Sequence, residues 1–232
     1  MLFDGFKEDA LKFLDEIKEN NNKVWFEANR HRWEKLILEP NVAYVKEMGE
    51  HLIALAPFIR AEPKAAGSLF RIYRDTRFSK DKTPIKTKIS IMFWQGTGHR
   101  MQCPCFYMQY KSHEIYVATG IGKFKTHLLK HYREYIKIER NAKALHEILE
   151  NLKEKGINIK PPHYKRIPAG FDKESQYAYL SQYDGLFVNK AFKPNKTFFS
   201  KRIINYNFKF YDSTIDLFNW IDSLVKSSED GF

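Results

Sequence analysis

Cysteine is nearly absent from this chain of 232 residues, which holds only Cys103 and Cys105. One residue apart, they are too close to staple a fold, and they miss the two-to-four-residue gap of zinc-binding pairs even with His99 and His113 nearby. Small buried hydrophobes in a reduced, cytoplasmic setting are the expectation. Long apolar runs are missing too. No stretch approaches the ~20 residues that a membrane helix needs, and the opening Met1 to Lys7 lacks the basic-then-apolar layout of a secretion signal. No membrane partner is expected. Internal repeats and low-complexity tracts are absent, so one domain over 1–232 is the economical reading.

Familiar catalytic signatures are also lacking. Gly120-Ile121-Gly122-Lys123 follows a strand and precedes a helix, yet it lacks the four-residue spacer and the Ser or Thr of a Walker loop, so a tight turn is expected. His127 and His131 share a helix face but lack the intervening Glu of a metalloprotease helix, and read as surface residues. Ser79 and Lys82 have the Ser-x-x-Lys spacing, but Pro84 and the flanking strand patterns oppose the helical turn which that chemistry requires. No metal site is expected from any of these patterns.

Negative charge is in short supply. The chain has 39 Lys and Arg against 28 Asp and Glu, for a net charge of +11 and a pI near 9.4. Such a balance points to an anionic partner, a nucleic acid or a phosphorylated small molecule. The excess is concentrated from Arg71 to Lys88, where seven of eighteen residues are Lys or Arg and two are Asp. Arg71, Arg74 and Arg77 recur every third residue, with Lys80, Lys82 and Lys86 behind them. Guanidinium forks grip phosphate in pairs of hydrogen bonds, and the interleaved Tyr73 and Phe78 offer ring faces for stacking. Asp75 and Asp81 cannot neutralise seven cations. Part of the charge must therefore face solvent or a ligand. Two alternatives stand beside anion binding: a metal-dependent phosphoester hydrolase using Asp75 and Asp81, and a structural or adaptor protein in which the arginines are internally paired.

Aromatic residues make up 16% of the chain, which favours a packed core. Apolar periodicity predicts helices over 8–19, 23–38 and 41–55, with Asn20-Asn21-Asn22 separating the first two and Pro40 starting the third. Short strands are expected at 68–73, 88–93, 104–110 and 114–119, as an antiparallel meander whose third link is the turn Lys111-Ser112-His113. Helices follow over 125–137 and 140–154, the latter stopped by Gly156. Lys130, Arg133 and Lys137 would share one basic face of the former. An extended connection over 157–171, a short helix at 175–182, a strand at 186–188 and a helical last third complete the pattern, with Asp212-Ser213 as a cap within it. The class is α+β: a mainly antiparallel central sheet with N-terminal and C-terminal helices packed on it.

Several segments together resemble the family of conserved proteins catalogued as domain of unknown function 2461. They are Ala10 to Leu14, Asn20 to Arg30, Pro40, the central run Phe70 to Thr87, the glycine turn Thr119 to Gly122, Arg133, and Tyr164 to Lys173. Ile85 stands where the family usually has Tyr, and the His and Pro that follow Asp172-Lys173 in the family are missing. The resemblance implies one conserved domain and brings no activity, substrate or cofactor with it. The expected ligand-binding set is Arg71, Arg74, Asp75, Arg77, Lys80, Asp81, Lys82, Lys86 and Arg133.

Overall fold

Helix α1 (Glu8–Glu19) buries Ala10, Leu11, Phe13, Leu14 and Ile17 along one face, as the spacing predicts. In the computed structural model, which describes residues 2–229, the asparagine run then acts as a helix stop and start. The side chain of Asn22 accepts from the Trp25 amide at 2.9 Å and so caps α2 (Lys23–Ala28). The single helix expected over 23–38 is divided. Asn29 turns its amide back onto the Trp25 carbonyl at 2.9 Å, a side-chain bond that competes with the helical ladder. A short α3 (Arg30–Trp33) and a π-helical turn, Glu34–Leu38, follow and run without a break into α4 (Glu39–Leu52). Pro40 sits in the first turn of α4 and has no amide hydrogen to give. The wider π turn just before it takes up the interrupted ladder, so the chain continues where a fresh start was expected.

Strands β1 (Ile89–Trp94), β2 (Cys105–Lys111) and β3 (Glu114–Ile121) form the expected meander. Helices α5 (Thr126–Tyr135) and α6 (Glu139–Glu154) follow, and Gly156 ends α6 at φ +68. The connection after it holds a strand that periodicity misses, β4 (Asn158–Ile159), too short to show a pattern. Antiparallel pairing with β5 (Leu186–Phe192) puts it at the sheet edge, in the order β1-β2-β3-β5-β4. Where a short helix was expected over 175–182, a 3₁₀ segment spans Ala178–Gln182. The helical last third becomes α7 (Arg202–Ser213) and α8 (Ile215–Glu229). The break falls at Thr214, buried with its hydroxyl 2.7 Å from that of Thr119, one residue after the expected cap. The fold is α+β with an antiparallel sheet and helices at both ends. None of its helices, among the described residues, is long and apolar enough to cross a membrane.

The strand expected over 68–73 is reduced to single bridges. Leu69 pairs with Ile91 and Tyr73 with Ile85. The Phe70 amide donates to the Ser90 carbonyl and the Met92 amide to the Ser68 carbonyl, so the segment lies along β1 for only three residues before it leaves.

Two compact units interleave in the sequence. One holds the chain up to Phe93, 107–117 and 191–210; the other holds 94–106, 118–190 and the chain from 211. The first has an aromatic core. Phe6 stacks on Phe198 at 4.7 Å and meets Tyr110 and Tyr44 at 5.1 and 5.3 Å. Each such ring contributes both buried area and an oriented contact. The second is built on Phe106, which stacks on Phe218 at 4.4 Å, and on Tyr132, whose hydroxyl donates to the Leu180 carbonyl at 2.8 Å. In the second unit Lys160 joins the buried Asp184 carboxylate (2.6 Å) to the Gly122 carbonyl (2.7 Å). Both cysteines lie there as buried free thiols. Burial pushes the Cys105 thiol up to about 12, and it donates to the Gly120 carbonyl at 3.0 Å.

The glycine turn has a structural reason. Gly120 lies within β3 at φ +123, and a Cβ there would stand 2.1 Å from the Leu186 carbonyl oxygen. Gly156, at φ +68, has open space around it. Gly120→Ala is therefore expected to cost about 3 kcal/mol, from strain plus the forced separation of β3 and β5. Gly156→Ala is expected to cost about 1 kcal/mol from backbone strain alone. At roughly 2–4 °C per kcal/mol, thermal melting followed by circular dichroism resolves the two; equal shifts would contradict the close approach.

Candidate anion-binding site

The stretch 71–88 folds back on itself as a clamped loop in the first unit. Its arms are joined by hydrogen bonds from the Arg74 amide to the Pro84 carbonyl (2.8 Å) and from the Lys86 amide to the Ile72 carbonyl (2.9 Å). The segment Asn20 to Arg30 supplies the anchors. The side chain of Asn21 mimics a strand neighbour: its Nδ2 donates to the Ile85 carbonyl and its Oδ1 accepts the Ile85 amide, both at 2.9 Å. Glu27 accepts from the Tyr73 hydroxyl, and the Tyr73 ring stands edge-on to Phe26 at 5.8 Å. The hydrogen bond to Glu27, with burial second, holds the Tyr73 hydroxyl above its usual range. Ile85 itself is buried.

Within the loop the two carboxylates each hold one arginine. Asp75 takes Arg77 through two bonds, Nε at 2.9 Å and an NH2 group at 2.7 Å. Asp81 accepts from the Arg74 guanidinium and from the Thr83 amide and hydroxyl at 2.9 and 2.8 Å. Arg74 also donates to the Thr83 hydroxyl. Both carboxyls are lowered to about 2: Asp75 by Arg77, Asp81 first by the Thr83 amide and then by Arg74. Lys82 and Lys86 donate to the backbone carbonyls of Thr76 (2.9 Å) and Arg71 (2.6 Å), which tie the arms together. Arg71, Lys80, Lys82 and Lys88 are left exposed. The charge is thus both paired and displayed. Phe78, at the tip beside Arg77, is 95% exposed.

A cavity of about 270 Å³ opens in this unit against the loop's first arm. Arg71, Ile72 and Tyr73 form one wall; Arg30, Trp33 and the π turn with Asn41 form the other. Asn41 is buried and donates to the Ile37 carbonyl and the Tyr110 hydroxyl, both at 2.6 Å, while its Oδ1 has no partner. Sequence reasoning missed this wall. Its one signal was Pro40, whose missing amide hydrogen favours an irregular turn before it.

Eight of the nine expected residues therefore lie in one loop. Arg133 does not. It belongs to the second unit, on α5, with its guanidinium 4.9 Å over the Tyr164 ring. Of the basic face expected beside it, Lys137 lies past the end of α5 and pairs with Glu134 at 2.8 Å. Three or more metal-ligating side chains gather nowhere among the described residues. The family model described as conserved hypothetical protein (DUF2461) matches residues 9–220. A search of the curated proteins gives no match.

Asp75 and Asp81 have folded values below their unfolded values near 3.9. Their pairings therefore stabilise the loop above about pH 4 and are lost as pH falls through about 2. Carboxyl chemical shifts are expected to titrate near 2 at both residues. In Arg74→Gln the Asp81 midpoint should rise only part of the way to its ordinary value, because the Thr83 amide remains, and Asp75 should not move. An Asp81 midpoint that stays put in the variant would remove Arg74 from the clamp.

Proposed function

The chain belongs to the DUF2461 family of conserved hypothetical proteins, and from its basic loop we propose that it binds a phosphate-bearing ligand, a nucleotide or nucleic acid. The observation that carries this reading is the arrangement of charge on an anchored loop. Arg74 and Arg77 are spent on Asp81 and Asp75, while Arg71, Lys80, Lys82 and Lys88 stand exposed on the same frame. An ordered set of like charges is costly to keep together, and an anionic ligand relieves that repulsion. Order also lowers the entropy lost on binding. Arg71 can meet a phosphate at the mouth of the cavity, whose apolar wall accepts a ring.

The hydrolase alternative gains less support. Asp75 and Asp81 each face a guanidinium, so a metal would have to displace Arg77 or Arg74 to reach them. The adaptor reading explains Arg74, Arg77 and the tie from Lys82 to Thr76 but leaves Arg71, Lys80 and Lys88 without a role. A cytoplasmic setting is part of the proposal, and the two buried free thiols accord with it.

Titration of labelled single-stranded DNA, RNA and mononucleotides across a salt series tests the reading. Four exposed cations meeting phosphates correspond to a log–log salt slope of about −3 for a single strand. The triple variant Arg71→Ala, Lys80→Ala, Lys88→Ala is expected to lose most of the affinity and to flatten the slope to about −1, with its thermal midpoint unchanged. No affinity for any of these ligands at low salt would refute the proposal.

A further inference from the structure

Phe78 has no structural explanation. At 95% exposed it is the most exposed large apolar side chain among those described, on a loop whose backbone and neighbours are tied down. The Thr76 carbonyl accepts from Lys82 at 2.9 Å and from the Ser79 amide at 3.3 Å, so the tip is held on both sides of the ring. The Arg77 guanidinium lies 5.9 Å from the ring centroid, and Lys80 is exposed two residues on. The other aromatic of the stretch, Tyr73, is committed to Glu27 and Phe26 and forms part of a wall. A benzyl side chain held out into water costs hydrophobic free energy that any protein contact would recover.

We propose that Phe78 is a stacking platform for an unpaired base, and that the ligand of the loop is single-stranded nucleic acid. Three features combine in this assignment. A free ring face takes any base, since every base presents a π surface. Lys80, exposed two residues on, and Lys82 supply positive charge beside the ring for the phosphates of the same strand. The mount is rigid, so the ring is presented without being ordered at the moment of binding. A base within a duplex has both faces already stacked and offers nothing to Phe78 except at an end. The inference rests on the proposed phosphate-binding role of the loop and narrows it to one class of ligand.

Fluorescence anisotropy with labelled oligo-dT, oligo-rU and a duplex of the same length tests it on the intact protein. Phe78→Ala is expected to weaken single-strand binding roughly tenfold or more, to leave duplex binding within about twofold, and to keep the salt slope and thermal midpoint of the parent. Phe78→Trp should retain or increase single-strand affinity. The inference is overturned if Phe78→Ala leaves single-strand affinity unchanged while salt-dependent phosphate binding persists; the broader reading then stands without it. It is also overturned if a mononucleotide binds as tightly as the oligonucleotide and is indifferent to Phe78→Ala, which would seat the base in the cavity instead. Phe78-dependent binding to phosphatidylserine vesicles without oligonucleotide binding overturns it as well. Absence of binding to every phosphate ligand removes the broader reading and this inference together.

Discussion

Like charges packed into a short loop repel, and the structure of the first unit is arranged around holding such a loop together. The hydrogen bonds between Asn21 and Ile85 do more of this than the ion pairs within the loop. They are bonds to backbone, so they persist whatever the ionic strength, whereas the exposed pairs Arg77–Asp75 and Arg74–Asp81 are screened by salt. With the return arm fixed at Ile85 and the outgoing arm fixed at Tyr73 by Glu27, the tip can carry unneutralised cations without unravelling. The anchors are neutral Asn21 at the α1–α2 junction and acidic Glu27 within α2. That explains why two segments about fifty residues apart carry the most distinctive residues of the chain.

The sheet meander and most helices were legible because each presents a regular apolar period against a buried face. The Asn22 cap and the Gly156 stop were legible for a similar reason: one residue type suits one backbone geometry. What escaped was decided by side chains acting across the fold. Asn29 breaks a helix that its neighbours would continue, and it does so through a bond to Trp25 that no apolar period encodes. The segment 68–73 has strand composition, but its outgoing half is drawn away from β1 to pair with Ile85. The site was legible as a density of charge and illegible as a division of labour. Which arginine Asp81 would hold depended on Thr83 presenting both its amide and its hydroxyl to the same carboxylate. Arg133 was grouped with the loop as part of a basic helix face, and its guanidinium lies over the Tyr164 ring instead.

The π turn before Pro40 links the helical layer of the first unit to the site. An α-helical register through 34–38 would leave the Leu36 carbonyl facing the proline ring. Widening the turn relieves that contact and displaces Ile37 and Leu38 into the cavity wall opposite Ile72 and Tyr73. Asn41 then answers the Ile37 carbonyl with its side chain, and in doing so leaves its own Oδ1 without a donor. A buried acceptor in that state costs about 1–3 kcal/mol, which packing alone would not retain.

Two kinds of unfavourable free energy therefore coincide in one unit: a set of like charges and an exposed ring on the loop, and an unsatisfied acceptor with an irregular turn behind it. Exposed apolar side chains such as Val24 and unpaired buried atoms such as Arg133 Nε occur elsewhere too, and what distinguishes this unit is that both kinds stand beside a densely charged loop. Such departures concentrate where a fold is shaped for a ligand as well as for stability. The aromatic core around Phe6 supplies the rigidity that lets the unit tolerate them. The loop tip bears the larger share, since the Phe78 ring meets the Arg77 guanidinium at 5.9 Å yet stays 95% exposed, and a stacked base between phosphates would stabilise ring and cations at once.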